Sequence, residues 1–145
     1  MDKEIPTAQL SRQFLSFFYK RVARKQSFAL ITVLSTHGSS YSKAGHQLLI
    51  DDVGDVQGIL SGGCLERDLA ERSINAISTM TPEVIEYDLS ADEELFGLGV
   101  GCEGSMRVLI QPLSADSAYE PPSSILDSLE TGVSVNVKVT LDFDA

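Results

Sequence analysis

Apolar positions recur along this chain with two different periods, and the switches between them mark its elements. From Thr7 to Lys25, Leu10, Phe14, Phe17, Phe18 and Val22 fall at helical spacing, while Arg12, Lys20, Arg21, Arg24 and Lys25 lie mostly off that face. This predicts an amphipathic helix capped by Thr7, with basic residues near its end where they suit the dipole. Phe28 to Leu34 is a nearly continuous apolar run rich in β-branched residues and reads as a buried strand. Ser35 to Gly45 reads as a polar loop. Gln47 to Ile50 and Val56 to Leu60 read as two strands of a hairpin, joined by the turn-forming Asp51-Asp52-Val53-Gly54-Asp55.

After Ser61-Gly62-Gly63 the period becomes helical again, with Leu65, Leu69, Ile74 and Ile77 as the apolar stripe and Glu66, Arg67, Asp68, Glu71 and Arg72 around it. Val84 to Leu89 reads as a strand led by Pro82, Asp92 to Phe96 as a short helical turn or loop, and Ser105 to Ile110 as a strand ending at Pro112. Ser124 to Glu130 reads as a short helix stopped at Gly132, and the alternating Val133, Val135, Val137 and Val139 as a half-buried strand. Together these predict an α/β fold: a mixed sheet with flanking helices and one β-hairpin. The expected organisation is a domain core over 1–113, a small, polar, proline-bearing linker over 114–122, and a helix–strand extension of the same domain over 123–145. The stop at Ala145, just after a strand, predicts a truncated product or a partial architecture with no C-terminal Rossmann domain. An uncapped terminal strand also favours self-association into a homo-oligomer.

Composition narrows the function. A chain of 145 residues with 43% hydrophobic content has material for one real core. A net charge of −10 argues against nucleic acid as a partner and disfavours an anionic membrane surface. No apolar run approaches the roughly 20 residues of a membrane span. The N-terminus has no signal-peptide hydrophobic region, so a cytoplasmic location is expected. Two cysteines, Cys64 and Cys102, do not make a disulfide framework, and with only His37 and His46 beside them no zinc-ligand spacing occurs.

The candidate chemistry sits in three glycine-bearing stretches. Thr36-His37-Gly38-Ser39-Ser40 follows a buried strand and can present N–H and O–H donors to an oxyanion, or can be an ordinary polar loop. Ser61-Gly62-Gly63-Cys64-Leu65-Glu66 stands at a strand-to-helix junction, where a helix N-terminus lowers a thiol pKa. It can equally be a tight turn with a buried cysteine. Gly97-Leu98-Gly99-Val100-Gly101-Cys102-Glu103-Gly104 contains a GxGxxG, but it precedes a strand instead of opening a helix and so lacks the dinucleotide-binding context. Its alternative is a glycine loop easing a crowded crossing.

Gly38-Ser39-Ser40, Gly45, Ser61-Gly62-Gly63-Cys64-x-Glu66, Tyr87-Asp88-Leu89 and Gly97-Leu98-Gly99-x-Gly101-Cys102-x-Gly104 occur in that order. This ordered set resembles the N-terminal domain of the XdhC/CoxI family, the xanthine dehydrogenase accessory factors. The resemblance implies binding of molybdenum cofactor (molybdopterin) as transient cargo, support of its sulfuration together with a cysteine desulfurase, and delivery to a xanthine dehydrogenase-like molybdenum hydroxylase. It implies a cofactor chaperone more than a catalyst. The cofactor-binding residues it implies are Gly38, Ser39, Ser40, Ser61, Gly62, Gly63, Cys64, Glu66, Gly101, Cys102, Glu103 and Gly104, with no catalytic residue and no metal ligand assigned. Family members commonly continue into a C-terminal Rossmann-type domain, so a separate partner chain could supply one. Where the family commonly has Pro-Arg after the paired serines, this chain has Tyr41-Ser42. Two other readings are a thiol-dependent sulfur-transfer or redox enzyme, and an acidic scaffold that docks a desulfurase or dehydrogenase without binding cofactor.

Overall fold

The computed structural model describes residues 2–4, 11–38, 43–60, 64–88, 104–132 and 138–140. In chain order the elements are β1 (Asp2–Glu4), α1 (Arg12–Ala23), β2 (Phe28–Gly38), β3 (Gln47–Asp51), β4 (Val56–Gln57), α2 (Cys64–Thr79), β5 (Glu83–Asp88), β6 (Gly104–Leu113), a 3-10 turn (Ala115–Ser117), α3 (Pro122–Glu130) and β7 (Lys138–Thr140). Five strands form one sheet in the order β4-β3-β2-β6-β5, and β1 pairs with β7 apart from it. The α/β class with flanking helices and the β3–β4 hairpin are as expected. Every described pairing is antiparallel.

The long apolar run makes β2 the centre of the sheet, because its alternate residues are buried on both faces. Ala29, Ile31 and Val33 join Leu65, Leu69, Ala76 and Ile77 of α2 in one core. Phe28 and Leu30 join Phe14, Phe17 and Phe18 of α1 and Leu126 of α3 in the other. The sheet is thus a middle layer, with α2 on one side and α1 and α3 on the other.

Several boundaries move for identifiable reasons. Ser11, not Thr7, caps α1, its hydroxyl accepting the Phe14 N–H at 3.0 Å. Residues 5–10, including Thr7, lie outside the described residues. The expected polar loop from Ser35 loses its first four residues to β2, which the long β6 partner holds in register as far as Gly38↔Gly104. Pro112 does not end β6. It pairs with Ala29 of β2, while on the other side β5 starts only at Glu83 opposite Ile110, so the missing proline N–H faces no ladder partner there. On α2, the buried face continues through Ser73 and Ala76, and Ile74 is 39% exposed. Within the 114–122 segment, Tyr119 is buried and stacks on Phe28 at 5.3 Å, and its hydroxyl donates to the Gln26 carbonyl at 3.0 Å. The expected turn over Asp92–Phe96 and the first part of the valine strand, 133–137, lie outside the described residues.

One irregularity governs which side chains reach the upper part of each face. Along β2 the register with β6 shifts between Val33↔Val108 and Ser35↔Arg107. The extra residue is a β-bulge, and it reverses the alternation beyond it. Thr36 therefore shares the α2 face with Met106, while His37 shares the opposite face with Ser105.

Candidate functional site

Strand direction gathers the described residues that flank the predicted segments at one end of the sheet. β2 and β5 run toward this end, and β3 and β6 run away from it. α2 runs antiparallel to β5. The Tyr87 hydroxyl near the end of β5 donates to Asp68, and one turn later Arg72 Nη1 donates to Glu83 at the start of β5, at 3.0 Å. The N-terminus of α2 is thereby fixed at the same end as Gly38 and Gly104. We call it the glycine end.

Gly38 and Gly104 face each other as the last pair of the β2–β6 ladder, with φ of +74° and +140°. A side chain on Gly104 would place its Cβ 2.0 Å from the His37 carbonyl oxygen. Only glycine allows the two backbones to approach this closely. Cys64 opens α2, and the 16-residue helix leaves its first N–H groups without intrahelical partners. Glu66, in the first turn, is buried, and its carboxylate accepts the Leu60 N–H. That contact bridges the chain on either side of 61–63 and lends the residue a structural role beside the predicted one.

Of the predicted site residues, Gly38, Cys64, Glu66 and Gly104 are thus at one end of the sheet. Ser39, Ser40, Ser61, Gly62, Gly63, Gly101, Cys102 and Glu103, and the Cys64 side chain, lie outside the described residues. The described segments on either side of each stretch meet at the glycine end. Among the described residues, no group of three or more His, Cys, Asp or Glu side chains could hold a metal. No described helix is long and apolar enough to cross a membrane.

Tyr87 and Asp68 frame the site from the α2 side. Tyr87 is buried, and its hydroxyl pKa is pushed up, first by burial and then by the hydrogen bond to Asp68. Asp68 also accepts from Arg72 Nε at 2.9 Å. Helical spacing alone leaves Asp68 outside the apolar stripe, among the solvated residues. Its spacing of four from Arg72 is the one sign in the sequence of a paired role.

Residues 21–88 match the XdhC and CoxI family. The chain belongs to that family. It is 30% identical over 121 residues to a protein of Bacillus subtilis (strain 168) named as a probable xanthine dehydrogenase subunit, covering 81% of this chain and 36% of that protein. The crystal structure of a xanthine dehydrogenase from Bacillus halodurans is similar in fold, with a TM-score of 0.60 at 34% identity, covering 69% of this chain and 30% of that one. This chain therefore spans about a third of the length of each of these relatives.

Proposed function

We propose that this protein is an accessory factor of a xanthine dehydrogenase-like molybdenum hydroxylase. In this reading it binds molybdenum cofactor at the glycine end of its sheet and supports the cofactor's sulfuration or insertion into the apo-enzyme. The observation that carries the reading is the convergence of the Gly38–Gly104 pair and the Cys64 start of α2 on one sheet end, within a chain of the XdhC and CoxI family. Close backbone approach and the positive dipole end of a helix N-terminus suit the phosphate and the edge of a flat heterocycle. A thiolate from Cys64 or Cys102 suits a soft metal centre or a transferable sulfur. A cysteine desulfurase and the target hydroxylase are the partners this role requires.

The test mixes purified protein with molybdenum cofactor and measures the molybdenum retained after gel filtration. The wild type is expected to retain it, and a Cys64→Ser/Cys102→Ser double variant to retain less. No retention by the wild type would sink the function, whereas equal retention by both would remove only the thiols from the binding mechanism.

A further inference from the structure

Beyond the bulge at Leu34 and Ser35, the sheet face opposite α2 changes character. Below it lies an apolar group of Leu34, Leu109 and Val84. Above it, Arg107 of β6 stands between Ser35 of β2 and Glu86 of β5, all three in register across adjacent strands. Directly opposed residues in an antiparallel pair hold their Cβ atoms about 4.5–5.5 Å apart, within easy reach of an ion pair. Yet neither Arg107 nor Glu86 takes part in any ion pair among the described residues, although Arg72, Arg21 and their acids do so elsewhere. Arg107 is half-buried and Glu86 exposed. A guanidinium and a carboxylate are thus presented side by side, with their hydrogen-bonding capacity toward each other unused. They lie next to an apolar surface and three residues from the Gly38–Gly104 pair.

A simple anion does not match this pair, because Glu86 would repel it. A cation fails for the corresponding reason beside Arg107. The complement is a flat neutral group that accepts at one point and donates at the neighbouring one, with an apolar face. The edge of an aminopyrimidinone has this pattern: its carbonyl accepts from a guanidinium, and its exocyclic amine and adjacent ring N–H donate as a pair to a carboxylate. We propose that Arg107 and Glu86 form a subsite for the aminopyrimidinone edge of a pterin, on the sheet face opposite α2. Choosing pterin over another such heterocycle rests on the cofactor reading above; the edge chemistry itself rests on the Arg107–Glu86 geometry.

The regular β5–β6 register sets Arg107 beside Glu86, and the bulge in β2 completes the face around them. By reversing the alternation of β2 it sets Ser35, and then His37, on the same face as Arg107. The pterin edge would lie on this face, while the cofactor's phosphate and metal-bearing end would extend over the Gly38–Gly104 rim toward the start of α2.

The experiment titrates hydroxymethylpterin, which carries neither metal nor phosphate, into the full chain and follows the pterin's own fluorescence. Wild type is expected to bind. Glu86→Gln and Arg107→Met should each weaken binding by roughly 10- to 100-fold, and Arg24→Gln, an exposed charge at the end of α1, should leave it unchanged. Circular dichroism and thermal midpoints matched to wild type qualify each variant, and the exposed Glu86→Gln keeps the test intact if Arg107→Met unfolds. A competing arm uses guanosine monophosphate, which bears the same edge. Displacement of the pterin supports the edge recognition and makes guanine a second source, and no displacement assigns the subsite to pterin. Absence of pterin binding by wild type, or equal binding by wild type and both variants, overturns the proposal. Molybdenum retention without pterin binding would remove this subsite and leave the accessory-factor reading standing. Pterin binding without molybdenum retention would do the reverse.

Discussion

The two ends of this sheet are built on opposite principles. At the end where β2 begins, side chains are satisfied by one another. Phe28 packs edge-on against Phe18 at 5.1 Å and stacks on Tyr119, so that α1, the sheet and the 114–122 segment share one aromatic cluster. Beside it Arg21 donates to the buried Asp51 carboxylate from Nε and Nη2 at 3.2 and 3.1 Å. The other Asp51 oxygen accepts the Val53 and Asp55 N–H groups and so shapes the hairpin turn. Arg21 also lies 3.5 Å over the Phe17 ring. At the glycine end, a strand pair closes on two glycines, a helix begins, and Arg107 stands opposite Glu86 with no ion pair to either among the described residues. One end spends its polar groups on folding, and the other is where our proposal places a ligand.

Substitutions can break or sharpen this contrast. The largest effects belong to the aromatic and ion-paired end. Asp51→Ala leaves Arg21 without its buried partner and strips two N–H groups of their acceptor. It should cost about 3–5 kcal/mol in urea denaturation, as should Phe28→Ala by opening a cavity. Below their lowered midpoints, both variants should still bind pterin with wild-type affinity. Weakened binding would mean the two ends are coupled.

Gly104→Ala comes next. A Cβ aimed at the His37 carbonyl, with φ at +140°, should cost a few kcal/mol and should open the ladder locally. Amide exchange is expected to speed at 104–107 and to stay slow at 108–113. Uniform acceleration along β6 would show that the glycine pair supports the whole sheet instead of its rim.

Tyr87→Phe should cost about 1–2 kcal/mol near neutral pH, because it removes a buried hydrogen bond to Asp68. Burial, and then that hydrogen bond, raise the hydroxyl pKa above its ordinary value of 10.0. The native state therefore holds this proton more tightly than the unfolded chain. The resulting stability is fully present below about pH 10 and is lost as pH rises further. The difference in stability between wild type and Tyr87→Phe should accordingly shrink above pH 10, and a difference that grew there would contradict the assignment. The smallest effect is expected at Ser73, whose buried hydroxyl has no hydrogen-bond partner among the described residues. Ser73→Ala should leave thermal stability unchanged or raise it by up to about 1 kcal/mol.

The contrast between the ends also explains what can be read from the sequence. Phe28 to Leu34 announces a central strand because both of its faces are apolar. The α1 stripe is legible from Phe14, Phe17 and Phe18, and the hairpin from its aspartate-rich turn. The extension of β2 through Ser35-Thr36-His37-Gly38 is not, since polar residues are held there only by a partner some 70 positions away in β6. The bulge is equally non-local, so nothing near Leu34 indicates that His37 changes faces, and the meeting of Arg107 with Glu86 depends on the β5–β6 register. Ile74 is a different case. At about 100° per residue it falls roughly opposite Leu65, so helical geometry alone favours Ser73 and Ala76 for the buried face. Tyr119 is hidden by its small, polar, proline-bearing surroundings. The glycine-bearing stretches are legible as motifs, but only strand direction and the antiparallel run of α2 against β5 put the described residues beside them at one end.

The most direct test of the account is amide exchange of the full chain with and without molybdenum cofactor. Peptides covering 35–38, 64–68 and 104–107 are predicted to exchange more slowly when the cofactor is present, while those covering 12–23, 51–55 and 113–126 keep their rates. Protection at the Phe28–Asp51 end, or none at the glycine end despite bound molybdenum, would contradict it.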